Sequence, residues 1–372
     1  VIYLLVENRD RELWSRLLIA LAIHKQGGRC IVGSQRVIWA NMHELLMGAM
    51  VFKGANAAMF PKAVDAIRAD HTVAVIDEEG LNVADAAHMR NEVAPGFPSS
   101  VSFCASEAAA RVYPASVIVG NPRLDLLTRP EIFAAPPRTG YTLVNTNTAG
   151  INHKGGAQAY HAMCESIGCF PTREQFMAHM AHEDARVRAI RAFLDAHEWP
   201  IVLRPHPGEN ADRWRDYCAG MPNVEVVTEG NHISWLKGAD CVVHTGCTTA
   251  IEAAHLGVPS VSLLTGLPED KIFVTNQAPY AATHDPVGAV DRATAPTVTS
   301  DGKAHERIAS RLMDAGMWTA WPDIRLDRPE VSMDPYFAEK VQTSIDDVIG
   351  FYQAWGVEVP VVQIGDSVFQ VG

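Results

Sequence analysis

Short apolar runs recur along this chain, each ending at Gly, Pro, Asn or charged residues, with stretches of helical spacing between them. Apolar runs bounded by such breakers suit strands buried on both faces of a parallel sheet. In the first half the pattern predicts strands over 1–6, 30–33, 50–52, 72–76, 101–104 and 117–119. It predicts helices over 11–25, through Leu13, Leu17, Leu18, Leu21 and Ala22, and over 57–69. The span 128–140 holds Pro130, Pro136, Pro137 and Gly140 and reads as an interdomain linker. A second alternation follows, with strands over 141–144, 201–203, 224–227, 241–243 and 260–263. Its helices are a long amphipathic one over 173–197 and a short run over 250–256. The span 148–172 reads as irregular, 270–303 gives no clear element, and 335–352 reads as helical. The apolar tail 357–371 alternates loosely, as an added strand or an interface would.

This is an α/β pattern of two doubly wound domains, which the length of 372 residues also favours. The expected domains are 1–133 and 141–334, with 335–372 as a helix crossing back to the first domain plus a tail. The composition, 48% hydrophobic and 20% charged, is that of an ordinary globular protein. A net charge of −12 argues against a general nucleic-acid binder. No apolar run approaches membrane-spanning length, and no signal peptide precedes the first strand. The chain starts inside that strand, as if earlier residues were missing. Seven scattered cysteines without a C-x-x-C pair read as reduced cytosolic thiols.

Ligands of open parallel sheets sit beyond the carboxyl ends of the strands, and the polar clusters of the second half fall there. One is Arg204-Pro205-His206-Pro207-Gly208, the other His244-Thr245-Gly246-Cys247-Thr248-Thr249. A helix start after the second cluster would offer unpaired N–H groups to an anion. Gly246 lets backbone approach closely, Thr248 and Thr249 supply hydroxyls or an N-cap, and Glu252 lies one turn on, suited to ribose hydroxyls. Arg204 and His206 bring a fixed cation and a titratable donor. Asn145 and Asn147 leave a neighbouring strand and can orient a sugar or phosphate, or only make turn bonds.

In the first half, Asp77-Glu78-Glu79-Gly80 sets three carboxylates side by side at a strand exit. If desolvated, at least one has a raised pKa and can act as general acid or base; the bland reading is a solvated turn. Glu7, Arg11 and Glu12 follow the first strand, and Asn121 and Arg123 follow the last one of that half. His153 and Lys154 read as a solvated loop, and His179, His182 and Glu183 as helix surface without a third metal ligand. There is no G-x-G-x-x-G after the first strand, no Walker lysine and no G-x-S-x-G elbow.

Taken together these motifs resemble the bacterial surface carbohydrate biosynthesis protein family, similar to glycosyltransferases of the GT-B fold. The stretches that carry the resemblance are Glu7 with Arg11-Glu12, Asp77 to Leu81, Gly120 to Asp125, Asn145-Thr146-Asn147, Arg204 to Pro207 with Glu209-Asn210, Glu229-Gly230-Asn231, and His244 to Thr249 with Glu252-Ala253. The last motifs are also similar to those of transferases using CMP-activated ulosonic acids such as Kdo, and of capsule polymerases with CDP-linked donors. The resemblance implies that His206, Thr248 and Thr249 hold the donor phosphate, and that Glu78-Glu79-Gly80 serves the acceptor side. Retaining members carry an aspartate nucleophile where this chain has Asn145 and Asn147, which leaves retention or inversion open.

The expected protein is thus a metal-independent GT-B glycosyltransferase, two Rossmann-like domains facing across a cleft, with no cofactor beyond its nucleotide-sugar co-substrate. Asp77, Glu78 and Glu79 are the expected catalytic acids. Asn145, Asn147, Arg204, His206, His244, Gly246, Cys247, Thr248, Thr249 and Glu252 are expected on the donor, and Glu7, Asn121 and Arg123 on the acceptor side. The expected partners are the donor, CMP-ulosonic acid foremost, and a glycan or glycolipid acceptor of a bacterial capsule or lipopolysaccharide. A cytoplasmic site of action follows, with room for peripheral association at the inner membrane and for self-association through the tail. The alternatives are a sugar-nucleotide epimerase on the same fold and a non-catalytic nucleotide-sugar binder in an assembly complex.

Overall fold

A computed structural model describes residues 1–78, 80–84, 93–167, 170, 172–297, 300–314, 326 and 341–372. Its strands in chain order are β1 (Ile2–Val6), β2 (Cys30–Ser34), β3 (Ala49–Phe52), β4 (Thr72–Ile76), β5 (Val101–Cys104), β6 (Ser116–Ile118) and β7 (Tyr141–Asn145). There follow β8 (Ile201–Arg204), β9 (Val224–Val226), β10 (Ala239–His244), β11 (Ser260–Leu263), β12 (Ala281–Thr283), β13 (Val361–Gly365) and β14 (Val368–Val371). The chain divides into two compact units. The first comprises Val1–Leu81, Glu92–Ile132 and Ser300–Gly372, the second Asn82–Asn91 and Phe133–Thr299. The expected second-domain span of 141–334 therefore ends early, because the chain rejoins the first unit from Ser300.

The first unit is built on an eight-stranded sheet of order β13-β14-β2-β1-β3-β4-β5-β6. Strands β1 to β6 run parallel. The β1, β2 and β3 residues are all buried, which is why they read as unbroken apolar runs. The Trp14–Lys25 helix is apolar nearly all round and is buried from Ser15 to Ile23. The Ala304–Asp314 helix packs on it and buries Ala304, Ile308, Ala309 and Leu312, one face at helical spacing. The region expected to be helical over 335–352 is helical at Ile345–Ala354, while 335–340 lies outside the described residues. The loosely alternating tail forms β13 and β14, and β14 pairs antiparallel with β2, covering what would be an open sheet edge.

The second unit has a six-stranded sheet of order β12-β11-β10-β7-β8-β9, parallel throughout. Chain order reverses between β7 and β10: β8 and β9 extend the sheet one way, β10 to β12 the other. The long Arg173–Ala196 helix starts with a Thr172–Gln175 capping box and buries Ile190, Phe193 and Leu194 in the core with Val144, Leu203 and Val243. Part of the span expected to be irregular forms a helix at Gly156–Ile167. No described helix is long and apolar enough to cross a membrane.

Phe369 in β14 is fully buried. Phe369→Ala is expected to lower the unfolding free energy by about 3 kcal/mol or more in a denaturant titration. A loss below about 1 kcal/mol would show that the tail strand is not part of the core.

Candidate functional site

In a doubly wound sheet the crevice for a ligand opens where strand order reverses. In the second unit this places the exits of β7 and β10 together, and both carry residues singled out in the sequence. Asn145 Nδ2 donates to Thr249 Oγ1 at 3.0 Å, so the two exits are bonded directly. Arg186, on the long helix, adds a bond from Nη1 to the Asn147 carbonyl at 3.1 Å.

The loop after β7 is shaped by Glu209, from the loop after β8, whose carboxylate is 1% exposed. It accepts hydrogen bonds from Thr146 Oγ1, Thr148 N and Oγ1, Asn152 Nδ2 and Trp214 Nε1. Buried carboxylates need such donors to stay charged, and this one fixes two loops at once. The exposed His206 is held over these loops. Its backbone N–H donates to Thr146 Oγ1, and its Nδ1 accepts from Gly208 N at 3.1 Å. In the neutral ring the proton then sits on Nε2, which is a donor.

The turn after β10 is shaped by His244. Its Nδ1 accepts from the amides of Gly246 and Cys247, at 3.1 and 3.2 Å. The ring is fully buried, and burial followed by the Arg186 charge pushes its pKa down to about 3. It stays neutral and cannot touch a ligand, which corrects its expected place on the donor. Gly246 takes φ +82, and a Cβ there would meet the Phe273 ring at 2.8 Å, so only glycine fits. Its carbonyl accepts from Asn82 Nδ2 at 3.1 Å.

Other expected donor residues are likewise engaged in structure. Arg204 donates from Nη1 to the Glu229 carbonyl and from Nη2 to the Gly230 carbonyl, with Trp235 under its guanidinium, so it braces that turn. Glu252 is buried, with His232 Nε2 3.0 Å from its Oε2. The helix after the turn, Thr249–His255, spans seven residues, and Thr248 has helical backbone angles and makes no side-chain cap bond. The helix start thus offers less to an anion than the sequence suggests, and the amides of Gly246 and Cys247 are already taken by the His244 ring. Asn147, His206, Cys247, Thr248 and Thr249 retain exposure at this reversal point.

One stretch of sequence was misread. His182, Glu183 and Arg186 are buried, where helix surface was expected for the first two. They share the face of Ile190, Phe193 and Leu194, polar at one end of the helix and apolar at the other. His182 Nε2 lies 3.1 Å from Asp270 Oδ1, and Glu183 Oε2 accepts from Gly150 N at 3.1 Å while its Oε1 accepts from Arg186 at 2.8 Å. The signal was present as polar residues at i, i+1 and i+4, continuing the apolar stripe.

In the first unit the described acids of the strand exit, Asp77 and Glu78, are buried, not solvated. Asp77 Oδ1 accepts from Gly80 N at 2.8 Å and from the Tyr113 hydroxyl at 3.3 Å, so its carboxylate closes the turn. A Cβ on Gly80 would lie 2.1 Å from Asp77 Oδ2. Glu78 is 3% exposed, with Arg16 Nη1 2.8 Å from its Oε1. The two are in charge contact without hydrogen-bond alignment, and neither is placed to touch a ligand. Glu79 lies outside the described residues. Glu7 forms an ion pair with Lys53, at the exits of β1 and β3 where this sheet reverses. Asn121 caps the Pro122–Leu126 helix through Arg123 N, which takes the turn-fixing reading, and Arg123 is half-buried beside it. Glu12, buried, accepts from the amides of Glu7 and Asn8. Burial, then the charge of Glu78, pushes its pKa up to about 7 against the pull of Arg16 and Arg11.

No protein-family pattern matches the chain, and no curated protein matches it. Among solved structures it is similar to the Methanocaldococcus jannaschii UDP-GlcNAc 2-epimerase in complex with UDP-GlcNAc and UDP. The identity is 14%, the TM-score 0.55, and the match covers 84% of this chain and 99% of that one. The Neisseria meningitidis UDP-GlcNAc 2-epimerase bound to UDP-GlcNAc matches at 12% identity and TM-score 0.53, covering 84% and 99%. The S. aureus MnaA–UDP structure matches at 13% identity and TM-score 0.52, covering 86% and 98%. At such identities the likeness shows the fold, which is GT-B.

Two substitutions test the bracing. Glu209→Ala leaves five buried donors without their acceptor and is expected to cost at least about 3 kcal/mol of stability. His244 is held neutral, so its contribution is complete above its unfolded pKa of 6.5 and is lost as pH falls toward 3. The stability gap between wild type and His244→Asn should therefore shrink below pH 6.5, by up to about 1.4 kcal/mol per pH unit. A gap independent of pH would contradict this placement.

Proposed function

We propose that the protein is an enzyme acting on a nucleotide sugar, which binds through its phosphates at the β7/β10 reversal point of the second unit. One observation carries the reading: the exits that the topology brings together there are bonded to each other, and Cys247, Thr248 and Thr249 on them, with His206 tied in from the neighbouring β8 exit, are at least partly exposed. Imidazole N–H and threonine hydroxyls are donors that phosphate oxygens accept. His206 and Thr249 are the proposed phosphate ligands, with Asn145 orienting Thr249.

Among reactions of such donors, epimerisation of the sugar is the first reading. Its support is the near-complete coverage of three structures named for, or holding, UDP-GlcNAc or UDP, at TM-scores above 0.5. UDP-GlcNAc is thus the substrate to try first. Glycosyl transfer to a bacterial surface glycan is the second reading. It is favoured by Arg204-Pro205-His206-Pro207 and by His244 to Glu252, which resemble motifs of CMP-ulosonic acid transferases. On that reading CMP is the nucleotide, the acceptor is a glycan or glycolipid, and the enzyme works at the cytoplasmic face of the membrane.

The two readings separate without any acceptor. Inverting a C–H centre requires the hydrogen to leave and return, so incubation with UDP-GlcNAc in deuterated water should yield the C2 epimer carrying deuterium. If no epimer forms and nucleotide release instead requires a glycan acceptor, transfer replaces it. Absence of both reactions with uridine and cytidine donors contradicts an enzyme role. Thr249→Val should weaken UDP binding about tenfold, the loss of one hydrogen bond to a charged group. Binding of uridine should be unchanged.

A further inference from the structure

The eight-stranded sheet of the first unit ends, on the side away from the tail hairpin, at β6. Among the described residues this strand pairs only with β5. The ladder fixes which of its backbone groups are left over. Ala115 O accepts from Ser102 N and Val119 N donates to Cys104 O, both at 3.1 Å, so Ala115, Val117 and Val119 face β5. Backbone direction alternates along a strand, and Ser116 and Ile118 therefore turn their N–H and C=O groups outward. Ile118 is 52% exposed. An edge of this kind is a template for another strand.

Beside the edge runs the Ala304–Asp314 helix, and between them lies a groove of about 450 Å³ floored by Val117, Ile118 and Val119. The helix side of the groove is Lys303, Glu306, Arg307, Ser310, Arg311 and Asp314, all exposed. Their spacings of three and four make one continuous face, distinct from the buried face of Ala304, Ile308, Ala309 and Leu312. Arg307 is anchored at the strand end, donating to Val119 O at 2.9 Å and pairing with Asp301. Lys303, Glu306, Arg311 and Asp314 make no ion pair among the described residues. Lys303, Arg307 and Arg311 stand four apart in turn, a spacing at which like charges destabilise a helix by itself.

The charges of this face have a two-fold pattern. Counted inward from its two ends, Lys303 answers Asp314, Glu306 answers Arg311 and Arg307 answers Ser310, all about one midpoint between Ile308 and Ala309. An antiparallel copy of the same helix would set cation against acid at four places and cation against cation at none. An acidic peptide would instead meet Glu306 and Asp314 with like charge. The strand edge has the matching symmetry. With Val117 opposite Val117, Ser116 of one copy faces Ile118 of the other, and their outward N–H and C=O groups can exchange four hydrogen bonds. One two-fold axis perpendicular to the sheet at β6 does both: it joins the sheets antiparallel and lays the two helices antiparallel in one layer.

We propose that the protein pairs with a second copy of itself through this edge, β6 against β6, with the charged helix faces selecting the partner. The exposed Ile118 is covered in the joined sheet, and the stripe of like charge gains the acids it lacks within one chain.

Sedimentation equilibrium of the intact protein at micromolar concentration tests the pairing and should give the mass of two copies. Lys303→Glu sets acid against acid twice in a two-fold dimer and should raise the dissociation constant at least about tenfold. Adding Asp314→Lys to it restores opposite charges and should return the constant to within about threefold of wild type. Ile118→Pro removes one outward N–H while sparing the bonds to β5, and should give monomers. If that variant unfolds, the two exposed charge positions decide the matter. A monomeric wild type overturns the proposal. So does a dimer whose dissociation constant Lys303→Glu leaves unchanged, because it is then held by another face. A charge swap as weak as the single reversal overturns the antiparallel helix pairing.

Discussion

Five hydrogen-bond donors from two stretches of chain converge on the carboxylate of Glu209, and the carboxyl end of the second sheet takes its shape from that convergence. Loops at strand ends are otherwise the most mobile part of a doubly wound domain. Here the loop after β7 is tied to the loop after β8 through a buried charge, and the turn after β10 is tied to itself through the His244 ring. Both devices work from beneath. They occupy polar side chains within the fold and leave others, His206 and Thr249 among them, at least partly exposed.

The same economy governs the first unit. The described acids of its strand exit do not wait in solvent. Asp77 closes a turn, Glu78 faces a buried guanidinium, and Glu12 satisfies two amides. Charges placed this way hold the Trp14–Lys25 helix against the ends of β1 and β4.

Much of the fold was legible because buried parallel strands leave a plain trace: 72–76, 101–104 and 260–263 were bounded to the residue. The reversal point was also within reach, since polar clusters follow the apolar runs at 141–144 and 241–243. What sequence could not give was the direction of each polar side chain. His206 and His244 both precede a turn with glycine two positions on, yet one ring lies outside and the other inside. Nothing local distinguishes them; what differs is the sheet, where β11, distant in sequence, pairs with β10 at His244 and Ser262. The polar stripe His182, Glu183 and Arg186 was missed for the opposite reason. Polar residues at helical spacing are normally surface, and only the acids and amides of other loops make this face an interior one. The tail strands 361–365 and 368–371 escaped firm assignment because an edge hairpin carries a weaker pattern than a buried strand.

The central claim is that phosphate oxygens of a nucleotide bind at the junction of the β7 and β10 exits. A crystal structure of the intact protein soaked with UDP measures this directly. The account predicts the diphosphate within hydrogen-bond reach of Thr249 and of the His206 ring, with His244 still turned inward. Ordered UDP bound elsewhere, with that junction occupied only by solvent, would contradict it.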